Sequence, residues 1–157
     1  MNDKKEKYEL LLRQLEALLS GQETTTGKLA NASAAIHDAM GFFWVGFYLV
    51  KDGMLQLGPF QGPVACYRIQ RGRGVCGTAW ERGESIVVTD VEKFPGHIAC
   101  SSLSRSEIVV PIHDAQAPHD IIGVLDIDSR HIASFDDTDR HYLEQACKII
   151  ATAIREG

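Results

Sequence analysis

The sequence predicts an α+β layer fold, with about six mostly antiparallel strands and helices packed on the sheet's faces. Three observations carry this. Two stretches of helical periodicity come first, then a series of short apolar runs joined by turn residues, and a third helical periodicity closes the chain. Strands do not alternate with helices in the way that would give a parallel sheet.

Tyr8, Leu11, Leu12, Leu15, Leu18 and Leu19 recur at helical spacing and define a first amphipathic helix, ended by Gly21. Thr24, Thr25 and Thr26 offer capping hydroxyls to a second helix, whose apolar face is Leu29, Ala32, Ile36 and Met40. Residues 42–50 are aromatic and β-branched without polar alternation, as suits a central strand buried on both sides. Lys51-Asp52-Gly53 is a hairpin turn, which makes the return strand 54–60 antiparallel to the first. Val64 to Ile69 forms a further short strand carrying Cys66.

Residues 71–83 read as a glycine-rich turn entering a short helix that Gly83 closes. A phosphate cradle would use such glycines, but no lysine follows them and no βαβ unit flanks them, so tight backbone at a helix entry is the better account. Ser85 to Thr89 is a strand, 107–112 and 121–128 are two more joined as a hairpin, and Ser134-Phe135-Asp136-Asp137 caps a last helix. That helix turns Leu143, Ala146, Cys147, Ile150, Ala151 and Ile154 inward.

With 157 residues, 45% of them hydrophobic, the chain reads as one domain with a core that needs no disulfide staple. Sixteen basic residues against 21 acidic ones give a formal charge of -5, and the basic residues are scattered, which excludes a nucleic-acid footprint. The charged start, Met1 to Lys7, lacks the apolar stretch of a signal peptide, and no apolar run is long enough for a membrane span. A cytoplasmic, reducing setting follows, in which the four cysteines rest as thiols and any disulfide is transient and catalytic.

The chemistry concentrates in residues 91–107, a polar loop that places Cys100 and Glu107 outside any periodic apolar face. Cys147 lies on a helical period and is assigned to the core, whereas Cys66, Cys76 and Cys100 do not. Zinc on those three thiols would need closer pairing than their spacing gives, so no metal is assigned. A redox reading needs an attacking thiolate, a second thiol and a mild acid. Glu107, Asp126 and Asp128 supply acids, and crowding them on one face would raise at least one pKa. Taken singly, each is equally well a solvated surface acid. Trp44 reads first as core, with a ligand wall as the alternative, and His97 could acidify a nearby thiol if charged or else fix the loop.

Trp44-Val45-Gly46-Phe47-Tyr48, Leu57 to Gly62, Gly72 to Thr78, Phe94 to Cys100, Ser104 to Val109 and Ile122 to Ser129 together resemble the free methionine-(R)-sulfoxide reductase family of GAF-domain enzymes. The resemblance runs over nearly the whole chain and is far more specific than a shared GAF fold. It implies a single GAF domain over 1–157 with a six-stranded antiparallel sheet. It also implies Cys100 as the catalytic cysteine, Cys66 as the resolving one and Cys76 as a third site thiol. Trp44 and Tyr48 would wall the substrate methyl group. Glu107, Asp126 and Asp128 would hold the sulfoxide oxygen and the substrate amino group, and backbone amides of Ile98 to Cys100 the substrate carboxylate.

Two positions depart from the family pattern: Ser101 where an acidic residue commonly follows the catalytic cysteine, and Phe43 where a polar residue often precedes the tryptophan. Neither removes a group the chemistry requires. The expected activity is reduction of free L-methionine-(R)-sulfoxide through a sulfenic acid and a disulfide. It needs no bound cofactor, and an external dithiol, thioredoxin being the natural candidate, supplies the electrons. The sequence leaves homodimerisation open. The competing functions are a GAF module that binds a small signal molecule without turnover, against which three site-like thiols and no output domain argue, and a structural zinc domain.

Overall fold

The computed structural model describes residues 3–97 and 103–156. Helices α1 (Asp3–Leu18) and α2 (Thr25–Met40) precede strands β1 (Trp44–Lys51), β2 (Met54–Gln61) and β3 (Arg68–Ile69). After these come α3 (Gly74–Arg82), β4 (Ile86–Val88), β5 (Ser106–His113), β6 (Ile121–Ser129) and α4 (Asp137–Glu156). The strands form one six-stranded sheet in the order β3-β2-β1-β6-β5-β4. Every pairing is antiparallel, as the sequence predicts.

Alternation along the strands divides the apolar residues between two faces. Val45 and Phe47 of β1, Ile108 and Val110 of β5, and Leu125 and Ile127 of β6 bury against α1, α2 and α4. Trp44, Tyr48, Val109 and Val124 turn the other way and meet Val75, Cys76, Ala79 and Trp80 of α3. The strand read as buried on both sides is therefore β1, which pairs with β2 on one edge and β6 on the other. Cys147 lies in the first of these cores, where the helical spacing put it.

Polar anchors fix the three helices on the larger core. Thr24 Oγ1 accepts from the Gly27 N–H at 3.0 Å and caps α2. The buried Lys28 Nζ donates to the Ala153 carbonyl at 2.8 Å, placing a cation near the C-terminal end of α4. Asp136 accepts from the Thr138 N–H at the start of α4, as the capping signature implies. The buried Asp139 accepts from Tyr8 Oη at 2.5 Å and Lys4 Nζ at 2.8 Å, tying α1 to the same end.

Three boundaries differ from the sequence expectation. The register of β1 on β2 shifts between Gly46 and Tyr48, where Gly58 and Pro59 form a bulge in β2. The proposed strand 64–69 shrinks to Arg68–Ile69. Before it the chain is held by side chains, since Trp44 Nε1 donates to the Pro63 carbonyl and Tyr48 Oη to that of Cys66, while the Leu57 N–H of β2 donates to the Tyr67 carbonyl. The strand 85–89 likewise shortens to Ile86–Val88, and Asp90 then caps a single 3-10 turn, Val91–Lys93.

Because Ile127 is fully buried in the central sheet, Ile127→Ala should destabilise the fold by about 2–5 kcal/mol. Leu10→Ala, at a half-exposed position, should stay within about 0.5 kcal/mol. Urea unfolding midpoints of the two variants test this, and equal losses would contradict the burial assigned here.

Candidate active site

The second face of the sheet gathers the chemistry-bearing side chains by register alone. In the antiparallel pair of β1 and β6, Trp44 lies opposite Asp128 and Gly46 opposite Asp126. In the pair of β6 and β5, Asp128 lies opposite Glu107. Residues opposite one another share a face, so Glu107, Asp126 and Asp128 emerge beside Trp44 and Tyr48. The first turn of α3 covers them with Cys76, and all six line one cleft.

Trp44 is held flat at one wall. Its ring stacks on Phe60 at 5.2 Å and on Tyr48 at 6.2 Å between centroids. Only glycine fits beneath and beside it: a Cβ at Gly46 would overlap the indole and Phe60, and one at Gly62 would overlap the indole edge. The polar ends of both rings are held by loop carbonyls. Trp44 Nε1 donates to the Pro63 carbonyl at 2.9 Å, and Tyr48 Oη to the Cys66 carbonyl at 3.0 Å.

Glu107 and Asp126 are each 6% exposed, and Asp128 keeps a wider opening to solvent. Burial pushes the Glu107 carboxyl well above its usual range, and the charges of Asp126 and Asp128 add to this. The direction is the one the sequence implies, but desolvation is the larger cause and crowding the smaller. Asp126 is also raised by burial, while hydrogen bonds from Glu107 and Cys76 oppose the rise. Asp128 is raised by burial and by Asp126. Its opening to water discounts that shift, so the retained proton is placed on Glu107, within a cluster that titrates as a unit. Asp126 Oδ1 is buried with no hydrogen-bond donor among the described residues.

The thiols separate clearly. Cys66 is disulfide-bonded, whereas Cys76 and Cys147 are free. Burial, then the charges of Asp126 and Glu107, hold the Cys76 thiol well above its ordinary pKa. Burial lowers the pKa of His97, whose Nε2 lies 4.0 Å from Glu107 Oε1, so a charged imidazole acidifying a thiol is disfavoured. The backbone N–H of His97 closes the turn on the Phe94 carbonyl at 3.1 Å. Cys100, Ile98, Ala99 and Ser101 lie outside the described residues.

Donor atoms of Cys76, Glu107 and Asp126 lie within 4.8 Å of one another, a spacing open to a metal ion. This is not the three-thiol set considered from sequence, because Cys66 is committed to a disulfide. The burial that keeps protons on Glu107 and Cys76 opposes filling the position with a cation, since metal ligands must lose their protons.

Several residues of the cleft escape a reading of the sequence. Gly46, Phe60, Gly62 and Pro63 form the seat of Trp44, and the only signal was a glycine two residues after a tryptophan in a strand. Arg73 and Ser104 also line the cleft, from the start of α3 and from the loop before β5. An arginine beside glycines carries no such indication alone.

The chain matches the GAF domain family over residues 28–154. GAF domain-containing protein A of Dictyostelium discoideum is 55% identical over 148 residues, covering 94% of this chain and 92% of its own length. The free methionine-R-sulfoxide reductase of Escherichia coli strain K12 is 45% identical over 155 residues, covering 96% of this chain and 92% of its own length. Among solved structures, free methionine-R-sulfoxide reductase from Neisseria meningitidis in complex with its substrate superposes with a TM-score of 0.91 at 50% identity. That likeness covers 95% of this chain and 89% of the other.

The raised Glu107 pKa has a consequence for stability. An unfolded chain releases this proton near the ordinary Glu value of about 4.3, while the folded chain keeps it to higher pH. Between the two values the native state binds more protons, so the contribution is fully present below the unfolded value and is lost as pH rises through the folded one. Glu107→Gln should therefore lessen the loss of stability between pH 4 and pH 8, read as urea midpoints. An unchanged slope would mean that Glu107 ionises normally in the fold.

Proposed function

The chain belongs to the GAF domain family, and within it to the free methionine-(R)-sulfoxide reductases, from which we propose how its residues divide the work. It is an oxidoreductase that returns free L-methionine-(R)-sulfoxide to methionine. The observation that carries the residue-level scheme is the single cleft joining an aromatic wall and a proton-holding carboxylate cluster, roofed by the loop of a disulfide-bonded cysteine.

In this scheme the substrate thioether and methyl group pack on Trp44 and Tyr48. The unpartnered Asp126 Oδ1, with Asp128, accepts from the substrate ammonium, which supplies the missing donors. Backbone amides of Ile98, Ala99 and Cys100 hold the substrate carboxylate, as the family resemblance implies. The Cys100 thiolate attacks the sulfoxide sulfur while Glu107 delivers a proton to the oxygen. The oxygen passes to Cys100 as a sulfenic acid and methionine leaves with the electron pair on its sulfur. Cys66 then condenses with the sulfenic acid, water departs and a disulfide forms. The disulfide state of Cys66, beside free Cys76 and Cys147, supports giving it the resolving role.

An external dithiol reopens that bond by two exchanges, giving two thiols here and a disulfide in the donor. A thioredoxin suits this step, and a reducing compartment such as the cytoplasm suits the cycle. No prosthetic group enters the scheme, and it is complete within one chain whether or not the protein forms a homodimer. A sensing module without turnover has no use for a redox cysteine over its pocket.

Consumption of free methionine-(R)-sulfoxide with dithiothreitol tests the substrate assignment. Turnover should be confined to the free R epimer, since a peptide-bound residue has neither the ammonium nor the carboxylate free. Equal rates on a peptide-bound sulfoxide would overturn it.

Single turnovers separate the residues. Cys100→Ser should release no methionine, whereas Cys66→Ser should release one per chain and leave a sulfenic acid that a dimedone-type probe traps. Glu107→Gln keeps the shape but cannot give up a proton, and should slow release roughly 10²-fold or more. Normal cycling of Cys66→Ser with thioredoxin would move the resolving role to another group.

A further inference from the structure

We infer that the loop 62–67, with the arginines that follow it, is the docking surface for the protein dithiol that reopens the Cys66 disulfide. The donor face that fits it is apolar at the centre and acidic at the edge. This rests on the reductase reading above and adds to it the surface by which the reductant is recognised.

Val64 is 85% exposed and Tyr67 is 80% exposed, against 50% or less for the other large hydrophobic residues at the described surface. They stand on either side of Cys66. Singly exposed apolar residues need no explanation, but a pair flanking a reactive bond marks a contact surface. Nor is the exposure that of a frayed segment. Trp44 Nε1 holds the Pro63 carbonyl, Tyr48 Oη holds that of Cys66, and the Leu57 N–H donates to the Tyr67 carbonyl at 2.9 Å. The backbone is pinned from behind while both side chains face solvent.

The charge nearby has the opposite sign to the whole. Arg68, Arg71 and Arg73 are exposed in a chain of formal charge -5, and none forms an ion pair with a carboxylate among the described residues. Such a local cationic strip attracts an acidic rim and speeds encounter at low salt.

The exchange chemistry explains why a partner must touch these residues. The donor's thiolate attacks one sulfur of the disulfide, the other sulfur leaves as a thiolate, and the two chains are briefly joined by a mixed disulfide. The donor's second thiol then attacks its own bonded sulfur and frees the reductase, so two electrons pass from dithiol to disulfide. In the joined state the donor's surface lies against the residues adjoining Cys66. A partner that must leave each cycle fits a small contact, at or below about 1,200 Å².

Val64 borders the cleft, so the test falls on Tyr67 and Arg68, which do not line it. Steady-state reduction of free methionine-(R)-sulfoxide is measured with a thioredoxin recycled by its reductase, and separately with dithiothreitol. Tyr67→Asp should raise the KM for thioredoxin about tenfold or more. Arg68→Glu should lower kcat/KM for thioredoxin and weaken its dependence on salt. With dithiothreitol both variants should keep the unsubstituted rate and sulfoxide KM within about twofold. Unchanged thioredoxin kinetics in both would overturn the proposal, and so would equal losses with both reductants. Failure of the unsubstituted protein to turn over with dithiothreitol would instead overturn the reductase reading.

Discussion

The burial of acids on one face of the sheet is the constraint around which the cleft is arranged. Glu107 and Asp126 are nearly sealed from water, with Asp128 beside them, and among the described residues no lysine or arginine forms an ion pair with them. Isolated carboxylates cannot stay ionised at low cost in such a place. Retaining a proton on Glu107 relieves both the desolvation and the repulsion. The same retention keeps the Glu107 carboxyl neutral to higher pH than a solvated glutamate. A feature that subtracts from stability thus suits the proton-donor role proposed for Glu107.

That cluster works only if a substrate is held at a fixed distance from it, and the aromatic residues supply the reference. Trp44 and Tyr48 alternate with Val45 and Phe47 on β1, so the strand that anchors the larger core also sets the cleft wall. Their rings stack toward the cleft while their polar atoms hold the Pro63 and Cys66 carbonyls. The wall and the cysteine loop therefore move together. A change that tilts the indole, such as a side chain at Gly46, would shift the loop of Cys66 as well as the wall.

Much of this was legible before any coordinates. The aromatic run at 42–50, the hairpin at Lys51-Asp52-Gly53 and the alternation of Asp126 and Asp128 specify strand, turn and face by local rules, and all three hold. What local rules could not reach was any contact made by folding. The run at 64–69 has strand composition, yet the Cys66 carbonyl goes to the Tyr48 hydroxyl of β1 and only Arg68–Ile69 pairs as a strand. Likewise the rise in the Glu107 pKa follows from crowding on paper, but its larger part is burial, which depends on α3 closing over the sheet. The need for glycine at 46 and 62 is set by the Trp44 ring, which strand pairing places against both.

The two site thiols among the described residues show how the fold can separate cysteines that look alike in sequence. Cys76 sits in the first turn of α3 beside Asp126 and Glu107, and ionising it would add a negative charge to a buried cluster already short of counter-charge. It is therefore a poor nucleophile for a sulfenic acid. Its protonated thiol lies against Asp126 and opposes the rise that burial gives the Asp126 pKa. In the proposed scheme Asp126 accepts from the substrate ammonium, while its neighbour Glu107, whose pKa burial raises, keeps the proton that the oxygen requires. Cys66 is held in a disulfide and lies on a loop between two exposed apolar side chains. The burial that holds the Cys76 thiol protonated thus supports giving the proposed exchange step to Cys66.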